Sequence, residues 1–214
     1  MSVFAKVQNS FVAVFFRKLF RVKIINPENE PKDKKAYVAF INHSSNWDPI
    51  LMGACMHRPL RYMAKAELFR VPILKSIVKL FGAYPVKRDA ADVSSIKTTI
   101  NILENGEIVG MYPQGHRARG VRPEAIKPKN GAAMAAFRAK TGILPVTVIS
   151  KGYKIKAFHK TIVVFGKYIP FEELEKMADG SGVSGNVELY GRITDRAYGE
   201  ILENYEKYDT LNKK

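Results

Sequence analysis

Cysteine is almost missing from this chain. Cys55 is the only one in 214 residues. No intramolecular disulfide can form, which excludes a disulfide-stapled secreted scaffold and fits a domain facing the cytosol. Acidic residues are also scarce, with 20 Asp and Glu against 35 Lys and Arg and a formal net charge of +15. A surface of that sign disfavours cationic partners and attracts polyanions: anionic lipid, an acidic carrier protein or nucleic acid. Charge alone does not choose among them. There is no internal repeat, no low-complexity tract and no Gly-x-Ser-x-Gly nucleophile elbow. Long apolar runs are lacking too. The longest uncharged stretch near the amino terminus, Val7 to Phe16, is ten residues. As a helix it reaches roughly 15 Å, about half the ~30 Å thickness of a bilayer core, so it is too short to span. No small-residue cleavage site follows it, which makes a signal peptide a poor fit.

What is present begins with aromatics. Phe4, Phe11, Phe15, Phe16 and Phe20 crowd the first two dozen residues with Val7, Val12, Val14, Leu19 and Val22. At about 100° per residue, Lys6, Ser10, Arg17 and Arg21 share one narrow stripe. The pattern predicts an amphipathic helix over residues 1–25 that lies in a membrane interface. Packing on the protein's own core is the alternative. Asn26 to Lys35 is polar and carries two prolines; it reads as a linker before one domain over residues 36–214.

Within that domain, apolar runs alternate with helical patterns. Strands are expected at Ala36–Ile41, Arg61–Ala64, Ala83–Val86, Ile108–Tyr112, Ile143–Ile149 and Thr161–Phe165. Helices are expected at Pro49–Met56 with Asp48 as N-cap, Pro72–Phe81, Asp92–Glu104, Gly131–Lys140 and Asn186–Tyr205. The fold class is α/β: a single domain with a mostly parallel sheet flanked by helices. Sites in such sheets gather at the carboxyl ends of the strands. His43, Lys65, Arg88 and Gly115 all fall just after expected strands.

His43 closes the run Val38-Ala-Phe-Ile-Asn42, and Asp48 follows five positions later. A neutral imidazole suits proton abstraction near neutral pH, and a carboxylate on its other nitrogen fixes the tautomer. Asp48 as a plain helix cap and His43 as a turn residue would leave the same trace. With no elbow serine in the chain, such a base would act directly on a substrate hydroxyl. Cys55 sits among apolar neighbours and reads as core. Lys87-Arg88, then Gly115 with Arg117 and Arg119, then Lys127 and Lys129 before a helix, form the pattern of an anion site.

Together these residues resemble the PlsC-type glycerolipid acyltransferases. Asn42, His43 and Asp48 match the N-H-x4-D motif, and Gly82 to Arg88 match G-x-x-P-V-x-R. Pro113-Gln-Gly-His-Arg-Ala118 stands where the family usually has P-E-G-T-R-S. Leu144-Pro-Val146 matches a short fourth motif, and Lys65-Ala-Glu-Leu-Phe69 a connecting segment. The resemblance covers roughly residues 36–170. It implies that His43, oriented by Asp48, deprotonates the free hydroxyl of 1-acylglycerol-3-phosphate for attack on acyl-CoA or acyl carrier protein. It implies that Lys65 and Arg117 hold the acceptor phosphate, that Arg88 supports that pocket and that Gly115 permits close backbone approach. No metal or redox cofactor is implied, and no nucleic-acid partner. The implied place is the cytoplasmic face of a membrane, peripheral or monotopic.

Two positions depart from the family pattern. Gln114 replaces a Glu and His116 a Thr. A glutamine can hydrogen-bond a substrate hydroxyl or hold the arginine loop, but it carries no charge and is no base. The acceptor can therefore be a different lysolipid. A non-catalytic basic protein that binds membrane or nucleic acid is the reading from another class.

Overall fold

The computed structural model describes residues 11–80, 82–86, 93–179 and 186–213. The architecture follows from the period of two in its central strand, β2 (Tyr37–Ile41), whose five residues are all buried. Val38 and Phe40 join one hydrophobic cluster, while Tyr37, Ala39 and Ile41 join another. A strand buried on both faces needs helices on both faces.

The strands are β1 (Val22–Ile25), β2, β3 (Leu60–Lys65), β4 (Ala83–Val86), β5 (Ile108–Met111), β6 (Gly142–Ser150) and β7 (Thr161–Phe165). They form one sheet in the order β1-β7-β6-β2-β5-β3-β4. Every neighbouring pair is parallel except β6 and β7. The mostly parallel sheet expected from the sequence is therefore present. Pro85, which has no N–H to donate, lies in β4 at an edge, where the ladder tolerates it.

The helices are α1 (Phe11–Leu19), α2 (Asp48–Cys55), α3 (Pro72–Leu80), α4 (Val93–Glu104), α5 (Gly131–Arg138), α6 (Phe171–Asp179) and α7 (Asn186–Tyr208). Residues of α4, α5, α6 and α7 build the core on the Val38 side. Leu51, Met52 and Met56 of α2 and its end, with Phe20 after α1, cover the other side. Helix α5 brings buried Ala132, Ala133, Ala135 and Ala136 to the sheet. These small side chains let its backbone lie close to β2 and β6, which it contacts.

Three expectations change. Residues 22–25, read as the end of the amino-terminal helix, form β1 and pair with β7. Arg21 takes a left-handed backbone with φ 43°, which stops the helix and turns the chain into the strand. The segment 26–35, read as a linker, is tied into the fold. The buried Glu30 carboxylate accepts hydrogen bonds from the Tyr37 hydroxyl at 2.9 Å and from the backbone N–H groups of His57 and Arg58 at 2.8 and 3.3 Å. The boundary expected between residues 25 and 36 is thus not a break in the fold. Finally, α6 was not expected; its Glu-rich first turn hides a short apolar face built on Leu174.

Replacing Glu30 with alanine leaves two partly buried N–H groups and the buried Tyr37 hydroxyl without their acceptor. The unfolding free energy should fall by about 2–4 kcal/mol, read from urea denaturation.

Candidate active site

Register delivers the site. Phe40 of β2 lies opposite Met111 of β5. Three residues beyond each stand His43 and Gln114, so both leave the sheet at the same edge. The position of His43 is fixed on its other side by Asn42. The Asn42 amide accepts from the Val148 N–H at 2.7 Å and donates to the Val148 carbonyl at 3.0 Å. A side chain here imitates a peptide group and extends the β2–β6 ladder by one rung. Tyr205 of α7 seals the joint: its hydroxyl donates to the same carbonyl at 2.7 Å and accepts from Asn42.

The loop from His43 to Asp48 closes around a single atom. Asp48 Oδ2 accepts from the N–H groups of Ser44 and Ser45, each at 2.8 Å, and lies 2.7 Å from His43 Nδ1. Asp48 is fully buried and His43 shows only 12% of its side chain. With a carboxylate at Nδ1, the proton belongs there and Nε2 is left as the basic nitrogen. The expected cap role is not what Asp48 performs. Trp47 is the N-cap residue, and Asp48 opens α2 with its side chain directed back into the loop.

Tyr112, which sequence reading passed over as the end of a strand, forms a wall of the site. Its ring stacks on the His43 imidazole at 4.1 Å between centroids and 25° between planes. Burial first, and the Asp48 charge second, hold its phenol well above the ordinary value. An aromatic residue just before Pro-Gln-Gly was the available signal.

Gln114 is almost wholly buried and does not face open space. Its Oε1 accepts the backbone N–H of His43. Its amide lies beside the hydroxyl of Tyr198, close enough to act on that phenol, and the hydroxyl donates to the Pro123 carbonyl at 2.8 Å. The residue thus positions the catalytic loop; the substrate contact expected of it is replaced by a tie between His43 and α7. A carboxylate could accept from His43 but could not donate to Tyr198, and it would bury a second charge beside Asp48.

The remaining cations separate by location. Arg117 is exposed, and its Nη1 donates to Asn46 Oδ1 in the His43–Asp48 loop. Gly115 has φ +71° and sits beneath Lys129: a Cβ there would stand 3.0 Å from Lys129 Cε and 3.1 Å from its Nζ. Glycine is needed for the backbone and for the lysine above it. Sequence reading saw Lys129 only as part of a basic run; the fold places it at the glycine turn. Lys65 ends β3, two strands from β2 and so roughly 10 Å across the sheet. Arg88 lies outside the described residues. Leu144-Pro145-Val146 lies within β6 against Ala39–Ile41 and supports the sheet. Burial pushes the Cys55 thiol up to about 12, so at neutral pH only about 10⁻⁵ of it is thiolate. Among the described residues, no three His, Cys, Asp or Glu side chains come together as a metal site.

A histidine held by a buried carboxylate thus stands at the carboxyl edge of the sheet, with Arg117 on its loop and Lys129 over the neighbouring glycine turn. The model of the family described as Acyltransferase matches residues 21–149, from the start of β1 to the end of β6. The chain belongs to that family. It is 38% identical to the 1-acyl-sn-glycerol-3-phosphate acyltransferase of Bacillus subtilis (strain 168) over 125 residues, which cover 58% of this chain and 60% of that protein. It is 31% identical to the protein of the same name from Streptococcus pneumoniae (strain ATCC BAA-255 / R6), over 72% of this chain and 58% of that one. The chain therefore spans about three fifths of the length of these curated relatives. Its fold is like that of the 1-acyl-sn-glycerophosphate (LPA) acyltransferase PlsC from Thermotoga maritima: TM-score 0.67, 19% identity, 96% of this chain and 84% of that one. At that identity the likeness is one of fold.

Gln114→Leu removes the acceptor of the His43 N–H and the partner of Tyr198 together. We expect a loss of about 1–3 kcal/mol in urea denaturation, with a shifted His43 ring resonance in the NMR spectrum.

Proposed function

We propose that this protein transfers a fatty acyl group to the free hydroxyl of 1-acylglycerol-3-phosphate, forming phosphatidic acid. The observation that carries the reading is the His43–Asp48 contact at 2.7 Å, with the carboxylate locked by two backbone amides. His43 Nε2 accepts the hydroxyl proton as the oxygen attacks the thioester carbonyl. The new C–O bond forms, the C–S bond breaks, and the proton passes from His43 to the departing thiolate sulfur. The names of the relatives support the acceptor. The burial of Gln114 is compatible with it, since this departure from the family's Glu lies behind the His43 loop, whereas the second departure, His116, is exposed beside Arg117.

Arg117, Lys129 and Lys65 are the groups we assign to the acceptor phosphate; the family resemblance adds Arg88, which lies outside the described residues. Guanidinium and ammonium donors to a phosphate make charge-assisted bonds, each worth about 1.5–3 kcal/mol. The donor is acyl-CoA or acyl carrier protein; both are thioesters with anionic character that the +15 chain attracts. Direct attack needs no acyl-enzyme, and the protonated Cys55 suits that route.

Both lipids carry chains that hold them in a bilayer at about 0.8 kcal/mol per CH₂, so the enzyme must come to the surface. Among the described residues, no helix is long and apolar enough to cross a membrane. Helix α1 turns Phe11 and Phe15 outward at 90% and 54% exposure, with Val12 and Val14 also exposed. Lys18, Arg21 and Lys23 beside it are exposed and suit anionic headgroups. We assign α1 to the interface on the cytoplasmic face, where the acyl donors are.

Incubation with acyl-CoA or acyl carrier protein and 1-acylglycerol-3-phosphate should release free thiol. His43→Ala should lower kcat by about 10²–10⁴-fold while the fold persists by circular dichroism. Cys55→Ala should retain activity. No turnover with 1-acylglycerol-3-phosphate, but turnover with another lysophospholipid, overturns the acceptor; no turnover with any lysophospholipid overturns the reading as a whole. Lys65→Ala and Arg117→Ala should each raise the acceptor KM by about 10–100-fold.

A further inference from the structure

Trp47 is the only tryptophan of the chain, and it lies inside the loop that joins His43 to Asp48. Its carbonyl accepts the Leu51 N–H at 2.8 Å, which starts α2, and its own N–H donates to Ser45 Oγ at 3.2 Å. The residue is therefore rigidly attached to Asp48. The Trp47 ring is 43% exposed. Its seated side rests on Phe20 at 5.4 Å and Phe16 at 6.3 Å between centroids. Phe16 and Phe20 are near-parallel at 6.4 Å, and Phe15 meets Phe16 edge-on at 5.5 Å. A continuous row of rings thus runs from Phe15, on the exposed face of α1, to the catalytic loop.

The two sides of that loop are held differently. Inside, Asp48 Oδ2 gathers His43, Ser44 and Ser45. Outside, the holds are Arg117 on Asn46 and the rings beneath Trp47. Helix α1 is seated on α2 and the core through Phe16 and Leu19, both partly buried. Ala13 is its one buried residue, with Phe20 just beyond and a hydrogen bond from the Phe158 N–H to the Leu19 carbonyl at 2.7 Å. Unseating α1 would strip Phe16 from the Trp47 ring.

We propose that Trp47 is a positioning residue that couples seating of α1 on a lipid surface to the geometry of His43 and Asp48. The inference rests on the acyltransferase reading. Its occupant is an anionic bilayer, chosen because exposed Phe11 and Phe15 stand beside exposed Lys18, Arg21 and Lys23. A surface that takes up Phe11 and Phe15 while α1 is seated binds the seated state better, so it shifts the loop toward the held arrangement. Acyl transfer is then faster at a membrane than on dispersed acceptor. A displaced general base loses rate steeply, since about 1 Å of misplacement costs about 10²-fold.

The single tryptophan is its own reporter. Vesicles of phosphatidylcholine and phosphatidylglycerol added to the whole protein should shift Trp47 emission to the blue. Phe16→Ala keeps the outward rings of α1 and removes the ring under Trp47. It should bind vesicles as the wild type does, lose the emission shift, and lose about 10–100-fold in kcat on vesicle-borne acceptor with KM unchanged. Trp47→Phe should keep most of the activity and Trp47→Ala should not, with circular dichroism showing both folded. Wild-type kcat in Phe16→Ala, or a loss only in step with vesicle binding, overturns the coupling. An emission change with an acidic protein and none with vesicles overturns the choice of a lipid surface. If the wild type turns over no acceptor, the acyltransferase reading fails, while the emission shift and its dependence on Phe16 still decide the coupling.

Discussion

One oxygen atom organises the edge of the sheet at which His43 stands. Asp48 Oδ2 receives the His43 imidazole and two successive backbone amides, all at 2.7–2.8 Å. A fully buried carboxylate costs several kcal/mol when its hydrogen bonds are missing. The loop therefore has little freedom to depart from the one path that supplies those donors. The same constraint fixes which histidine nitrogen is basic, where α2 begins and which way Trp47 faces. The chemistry and the local fold depend on a single set of hydrogen bonds.

That loop is then fastened to the sheet by neutral amides. Asn42 docks on Val148, and Gln114 bridges the His43 N–H and Tyr198. Both residues act as peptide groups carried on side chains. Neutral ties suit a place that already buries one anion, because they add direction without adding charge. The cations Arg117 and Lys129 stay exposed, with Arg117 tied to Asn46 on the outer side of the same loop. Positioning and charge are thus divided between two layers, one dry and one wet.

The central strands were legible because each is a short apolar run bounded by turn residues; β4 and β7 end where the sequence places them. His43 and Asp48 alone had a helix-cap explanation; they stood out only through the ordered company of Lys65, Arg88 and Arg117 in the family's motifs. Residues 22–25 were not, since Val22 to Ile25 continue the apolar tone of the preceding helix and only the Arg21 backbone separates them. Gln114 was visible as a departure, but its role depends on a tyrosine 84 positions downstream, beyond any local pattern. Tyr112 and Lys129 were hidden by better explanations, a strand end and a basic run. In each case the missing information was a neighbour distant in sequence.

The pairing of β1 with β7 also has a consequence in time. Val22 faces Thr161 across the ladder, so on a growing chain the first strand has no partner until the last one emerges. Ribosomes add about 5–20 residues per second, which makes the wait on the order of ten seconds. Through that interval β1 has no strand to pair with, because β7 is its one neighbour in the sheet. The sheet therefore closes at this edge last, after β2 to β6 have already been made.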